Sequence, residues 1–307
     1  YVIEGLWRSI PAPPTVGRLF SAFGRRWLEN HVPQEYQHTV LVQGDTGPAN
    51  FMFDDERITA SVDWELAHFG DPMEDLGNIV VRDYFYPSSG GNLQPYFAHY
   101  EQLSGIVFEA DKVKYYTVQQ LLRSVMSLMY TVRTLKWNDE VAMNLGYEIN
   151  CQRGMCDAIA RAMNFPFPSE SMPESVVKLG NDDQESGIVF SLIEQQLQRQ
   201  VYPAQSDSFI AHRVEHINAM VEFLRRKACY GCHLDEYEQN EIAVMMGSSF
   251  DDLPSAEDAL LARIESMDSI ADEQLILKYL HARAYRLEDL MEPLVRPFAN
   301  RFLAKVD

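Results

Sequence analysis

The segment LVQGDTGPANFMFDDERITASVDWELAHFGDP, Leu41 to Pro72, carries three side chains suited to one kind of chemistry: Asp45, Asn50 and Asp63. A carboxylate such as Asp45 can orient a hydroxyl and take its proton. An Asn oxygen paired with an Asp oxygen, as in Asn50 and Asp63, is a hard donor set for Mg²⁺. These are the parts that transfer of a phosphoryl group from a nucleotide to a hydroxyl asks of a protein.

Local elements must bring the three together. Asp45 follows Gly44 directly after TVLVQG, which reads as a strand, and Asn50 lies five residues on, so one tight loop can hold both side chains at one locus. Asp63 ends the second strand of a hairpin, FMFDDERITASVDW, whose polar turn DDER returns the chain on itself. Closing that hairpin sets Asp63 beside Asn50. Elsewhere the period is helical. VGRLFSAFGRRWLENHVP repeats Leu19, Phe20, Phe23, Trp27 and Leu28 on one face before Pro33 stops it, after a Pro-rich turn, SIPAPPT. Helices are expected in EDLGNIVVRDYF, in LQPYFAHYEQLSG, from Val113 to Leu135 and around Glu148 to Met163.

The stretch from Pro166 to Gly187 is rich in Pro, Ser, Gly and acids and reads as a linker; beyond it the pattern is helical throughout, with Ser255 and Asp258 resembling a capping box. The expected organisation is therefore a first unit over 1–165, a linker over 166–187 and an acidic helical domain over 188–307. The expected fold class is mainly α with a small β-hairpin region.

QGDTGPAN followed by VDWE and GDPMEDL closely resembles the aminoglycoside phosphotransferase and choline kinase group, relatives of the protein kinases. Within it, the likeness is greatest to the branch related to kinase domains fused to acyl-CoA dehydrogenases. The spacings from Asp45 to Asn50 and from Asn50 to Asp63 also fit the kinase catalytic loop and its metal-binding Asp. The resemblance covers roughly Trp27 to Met163. It implies the carboxy-terminal lobe of a kinase-like fold followed by an all-α domain, and an ATP- and Mg²⁺-dependent phosphotransferase acting on a small-molecule hydroxyl. Asp45 would be the catalytic base, and Asn50 and Asp63 would hold Mg²⁺ and through it the nucleotide. Asp71 and Asp75 would brace the loop and start the next helix, while Trp64 and Glu65 read as packing and supporting groups.

The chain departs from the family pattern twice. Gln43 stands where the family has histidine, and its amide can make similar bonds. No Gly-rich loop or strand Lys precedes Asp45; the first lysine is Lys112. The amino-terminal lobe is thus expected to be absent from this chain, which leaves open a separate partner supplying that lobe, a homodimer, and a non-catalytic binding or scaffold protein whose helical domain engages a partner.

Composition narrows the classes. With a formal charge of −19 and no basic stripe, the 307-residue chain does not read as a nucleic-acid binder, and its 46% hydrophobic content suffices for a real core. No apolar run is long enough to cross a bilayer, so no membrane partner is expected. Four cysteines, Cys151, Cys156, Cys229 and Cys232, are too few for a disulfide framework, which points to the cytoplasm. Cys229-Tyr-Gly-Cys232-His233 matches a haem-attachment pattern but reads as a helix-turn with buried thiols. His212 and His216, four apart on a helix, could clip a metal; with no third ligand to name, they read as packing histidines. The aromatic run YFYP and the Met-rich VMSLMYTV read as core.

Overall fold

A computed structural model of the chain describes residues 15–35, 37–165 and 170–307, so the Pro-rich turn SIPAPPT, all but its final Thr15, lies outside the described residues. The fold is mainly α with a small β-hairpin region, and the two sheets have two strands each. Helix α1 spans Thr15–Asn30. Strand β1 (Val40–Val42) pairs antiparallel with β4 (His68–Gly70), and between them β2 (Phe51–Phe53) pairs antiparallel with β3 (Ile58–Ser61). The helices α2 (Met73–Phe85), α3 (Gln94–Ser104), α4 (Ala110–Thr134) and α5 (Val141–Ala162) follow. Beyond these come α6 (Glu174–Asp182), α7 (Ile188–Gln196), α8 (Ser208–Met246), α9 (Leu253–Glu265), α10 (Ile270–Leu290) and α11 (Glu292–Val295). Among the described residues no helix is long and apolar enough to cross a membrane.

The apolar face expected of α1 is the buried one: Leu19, Phe20, Phe23, Trp27 and Leu28 are all in the core. They meet Leu121, Leu122 and Met126 of α4 and Met155 and Ile159 of α5 in one cluster, which continues into Leu260 and Ile264 of α9 and Ile276 and Leu280 of α10. Helices α1 and α9 therefore share a single core. Two polar ties reinforce it: Arg26 Nε donates to the Met267 carbonyl at 2.8 Å and Asn30 Nδ2 to Glu273 at 2.9 Å. Deep between α10 and α8, Arg286 reaches Glu238 at 2.7 Å, both nearly inaccessible to water.

Several local expectations meet a different outcome. The stretch read as a linker contains α6, whose Val176 is buried with Leu234 and Leu290, so few apolar residues sufficed to dock a short helix. The helices expected on either side of Cys229 are one, α8, 39 residues long. Gly231 inside it carries a helix penalty of only about 1 kcal/mol, and no proline interrupts the run. Helix α9 is capped by Asp252, which accepts from the Ser255 N–H at 2.8 Å; Ser255 sits inside the first turn, and Asp258 instead pairs with Arg18 at 2.7 Å. Strand β4 was unforeseen because three residues, HFG, carry no period.

Candidate active site

The loop between β1 and β2 is held from three sides. Gly44 adopts φ +82, and a Cβ there would lie 2.7 Å from the Leu66 carbonyl, so only glycine fits. Asp75, in the first turn of α2, accepts from the Gln43 and Gly44 N–H groups, each at 3.0 Å, and from the Thr46 hydroxyl at 2.6 Å. Asn78, one turn on, accepts through its amide oxygen from the Thr46 N–H at 2.6 Å and the Asp45 N–H at 3.3 Å. Asp71 accepts from the Met73 N–H at 2.9 Å, which fixes the start of α2.

Asp45 and Asn50 are brought together directly. The Asn50 amide nitrogen donates to Asp45 Oδ2 at 2.9 Å and to the Asp45 carbonyl at 2.8 Å. Its own oxygen is then left without a donor among the described residues. Asp63 arrives by way of the backbone: the Val62 N–H donates to the Asn50 carbonyl at 2.9 Å, continuing the β2–β3 ladder. The Asp63 side chain is exposed and makes no hydrogen bond or ion pair among the described residues. Its φ of +61 lies in the left-handed region, uncommon for a residue with a side chain and a marker of functional sites when held by its surroundings.

Gln43 joins these parts. It is 4% exposed, and its amide oxygen accepts from the Asp45 N–H at 2.7 Å while its amide nitrogen donates to the carbonyls of Asp63 at 2.7 Å and Val62 at 3.1 Å. One side chain thereby sets the separation between the Asp45 loop and the Asp63 turn.

Two arginines unforeseen from the sequence complete the locus. Arg82 of α2 donates to Asp45 Oδ1 at 2.6 Å, and Gly47 makes room for it, since a Cβ there would meet Arg82 Cγ at 2.7 Å. Arg123 of α4 lies 3.6 Å from the same oxygen and donates to the Gly44 carbonyl at 2.8 Å. Burial pulls the Arg123 guanidinium below its usual value, against the opposing attraction of Asp45 and Glu74. A readable signal existed: Asp75, Asn78 and Arg82 lie at i, i+3 and i+7, one face of a helix, where an otherwise apolar segment turns polar.

The remaining candidates are elsewhere. Trp64 is 46% exposed and donates its indole N–H to the Ser61 carbonyl at 2.8 Å, closing the hairpin end rather than packing in the core. Of the YFYP and VMSLMYTV runs, Tyr84, Phe85, Met126 and Met129 are core, whereas Tyr86 and Tyr130 are exposed. Cys229 and Cys232 lie within α8, the first buried and the second exposed, on a continuous helix rather than at a turn. A cavity of about 790 Å³ is lined by residues such as Arg153, Asp157 and His281 and by none from the loop. Within that cavity His281 and Asp157 contact each other at 3.0 Å.

Residues 17–116, which include the loop and the hairpin, match the family model described as the phosphotransferase enzyme family. Similar curated proteins are acyl-CoA dehydrogenase family member 10 of Mus musculus, 39% identical over 66 residues, and acyl-CoA dehydrogenase family member 11 of Gallus gallus, 35% identical over 66 residues. Each match covers 21% of this chain, and 6% and 8% of the two relatives respectively, so the chain aligns with under a tenth of their length. No solved structure matches the chain.

Proposed function

We propose that the chain contributes the catalytic lobe of an ATP-dependent kinase that phosphorylates a small-molecule hydroxyl. The observation that carries this is the Gln43-centred network, which fixes Asp45, Asn50 and the Asp63 backbone in one rigid locus. Asp45 orients the acceptor hydroxyl and takes its proton. The Asn50 amide oxygen and the Asp63 carboxylate, the two hard oxygens without donors among the described residues, fit Mg²⁺. When bound, Mg²⁺ would neutralise charge on the nucleotide phosphates. Arg82 and Arg123 supply positive charge at this one point of an acidic chain, suited to the anionic group in transit.

The elements that cradle ATP lie outside this sequence in this reading, on a continuation of the chain or on a partner. Leu41, Met52, Phe53, Ile58 and Phe69, large apolar side chains exposed on the two small sheets, support a lobe packing there. A reducing compartment, the cytoplasm, accords with four cysteines that are all free thiols.

The test is ADP release with Mg²⁺ over a panel of small alcohols, using the protein with whatever lobe completes it. Asp45→Asn should abolish turnover, and Asp63→Asn, which tolerates the left-handed backbone, should raise the Mg²⁺ requirement. Turnover indifferent to both changes would refute the assignment. One observation favours a second reading: both Asp45 oxygens are already engaged, by Arg82 and Asn50, as suits a non-catalytic binding or scaffold lobe. Absence of ADP release with every acceptor would favour it.

A further inference from the structure

His212 and His216 occupy one face of α8 near its start, with ring centroids 4.0 Å apart. Opposite them stands Glu140, the residue that precedes α5, more than seventy positions earlier in the chain. Its Oε2 lies 2.8 Å from His216 Nδ1 and 4.0 Å from His212 Nε2. One donor atom from each residue falls within 4.8 Å of the others, and no other group of three His, Cys, Asp or Glu meets that condition among the described residues. Glu140 Oε2 and His216 Nδ1 are closed off from solvent and face each other as a close ion pair that lacks the angular geometry of a hydrogen bond. A proton on Nδ1 would link the two as an ion pair, and a metal dication can take that proton's place.

We propose that Glu140, His212 and His216 bind a transition-metal dication of the Zn²⁺ type, two imidazoles and a carboxylate leaving a fourth position for water. Tetrahedral bonds of about 2.0–2.1 Å place ligand atoms roughly 3.3 Å apart, between the two separations observed, so rotamer adjustments suffice to close the site. Arg213 fixes the carboxylate in advance. It donates to the other Glu140 oxygen at 3.0 Å, and to the Asp139 and Trp137 carbonyls at 3.1 and 3.0 Å. The metal therefore staples the start of α8 to the start of α5. The site is independent of the phosphotransferase reading.

The test is calorimetric titration of the untagged protein with Zn²⁺ alone, with thermal melting alongside. Wild type should bind one equivalent and melt higher with Zn²⁺. Removing a direct ligand in His212→Ala or His216→Ala should weaken binding by at least ~100-fold, since even outer-shell changes cost up to that much. His212 is half exposed, so His212→Ala should melt like wild type without metal, which separates lost binding from lost folding. Cys232→Ser should leave both readouts unchanged. Failure of wild type to bind, binding undiminished in His212→Ala, or binding abolished in Cys232→Ser would each overturn the proposal, the last by placing the metal on the cysteine pair.

Discussion

Replacing Gln43 by alanine removes an amide that serves four groups, and the structure says which of them can find another partner. The Asp45 N–H keeps the Asn78 oxygen at 3.3 Å, and the Thr46 hydroxyl keeps Asp75 at 2.6 Å. The Val62 and Asp63 carbonyls, which receive the amide nitrogen at 3.1 and 2.7 Å, lose their side-chain donor. A buried polar group left without its partner costs about 1–3 kcal/mol, so the two together give roughly 2–6. Water reaching the exposed turn at Asp63 brings the expectation down to about 3 kcal/mol. At a urea dependence of about 3 kcal/mol per molar, the unfolding midpoint should fall by about 1 M. Gln43→Glu provides the control. Its carboxylate would face two carbonyl oxygens, so it should be less stable than Gln43→Ala at pH 8 and should recover at pH 4, where a proton restores one donor. A Gln43→Ala midpoint within about 0.2 M of wild type, well under that expectation, or a Gln43→Glu variant with no pH dependence of its own, would refute the linking role.

Other expectations follow from particular groups. Burial pushes the Glu148 carboxyl up to about 7 from 4.5, so the folded state holds a proton that the unfolded state releases between those values. Stability should therefore fall as pH rises from about 4.5 to 7; Glu148→Gln should remove that slope and stabilise at pH 8 by an amount on the order of 3 kcal/mol, checked by denaturation at pH 4 and 8. Arg286→Leu strands Glu238, which is 2% exposed, and should cost about 3–5 kcal/mol by the same assay, with much of the loss recovered in the double variant with Glu238→Leu. With a thiol reagent under native conditions, Cys232 should react first. Burial pushes the Cys151, Cys156 and Cys229 thiols up and out of reach, and a second fast thiol would contradict the packing of α5 or α8.

What the sequence made legible was local. Asp45 and Asn50 are five residues apart in a loop whose glycine and flanking strands are short-range signals, and the hairpin carrying Asp63 is written in its alternation and turn. What it hid was the contact partner from afar. Arg123 belongs to α4 and meets the loop only because α2 and α4 pack together, and Glu140 meets His212 and His216 only because α5 and α8 do. Helix length was hidden for a different reason: a Gly between two cysteines looks like a break, but its local penalty of about 1 kcal/mol yields to the packing of Cys229, Leu234 and Ile242 along α8.

The histidine missing from the loop motif illustrates how far local reading can carry. A loop of this kind needs a buried group that accepts from the Asp45 N–H and donates toward the Asp63 turn, and Gln43 does both with one amide. The neutral imidazole offers one acceptor and one donor, so it can serve the same pair of bonds but cannot also reach the Val62 carbonyl. Asp75 and Asn78 bear on the loop from α2 independently of residue 43, accepting four N–H donors and one hydroxyl between them. The substitution is therefore tolerated because the loop's position is set chiefly by α2, while residue 43 sets the distance from Asp45 to the Asp63 turn. Gln43→His should accordingly leave the fold near wild-type stability, whereas Asp75→Ala, which removes three bonds to the loop at once, should cost more than Gln43→Ala.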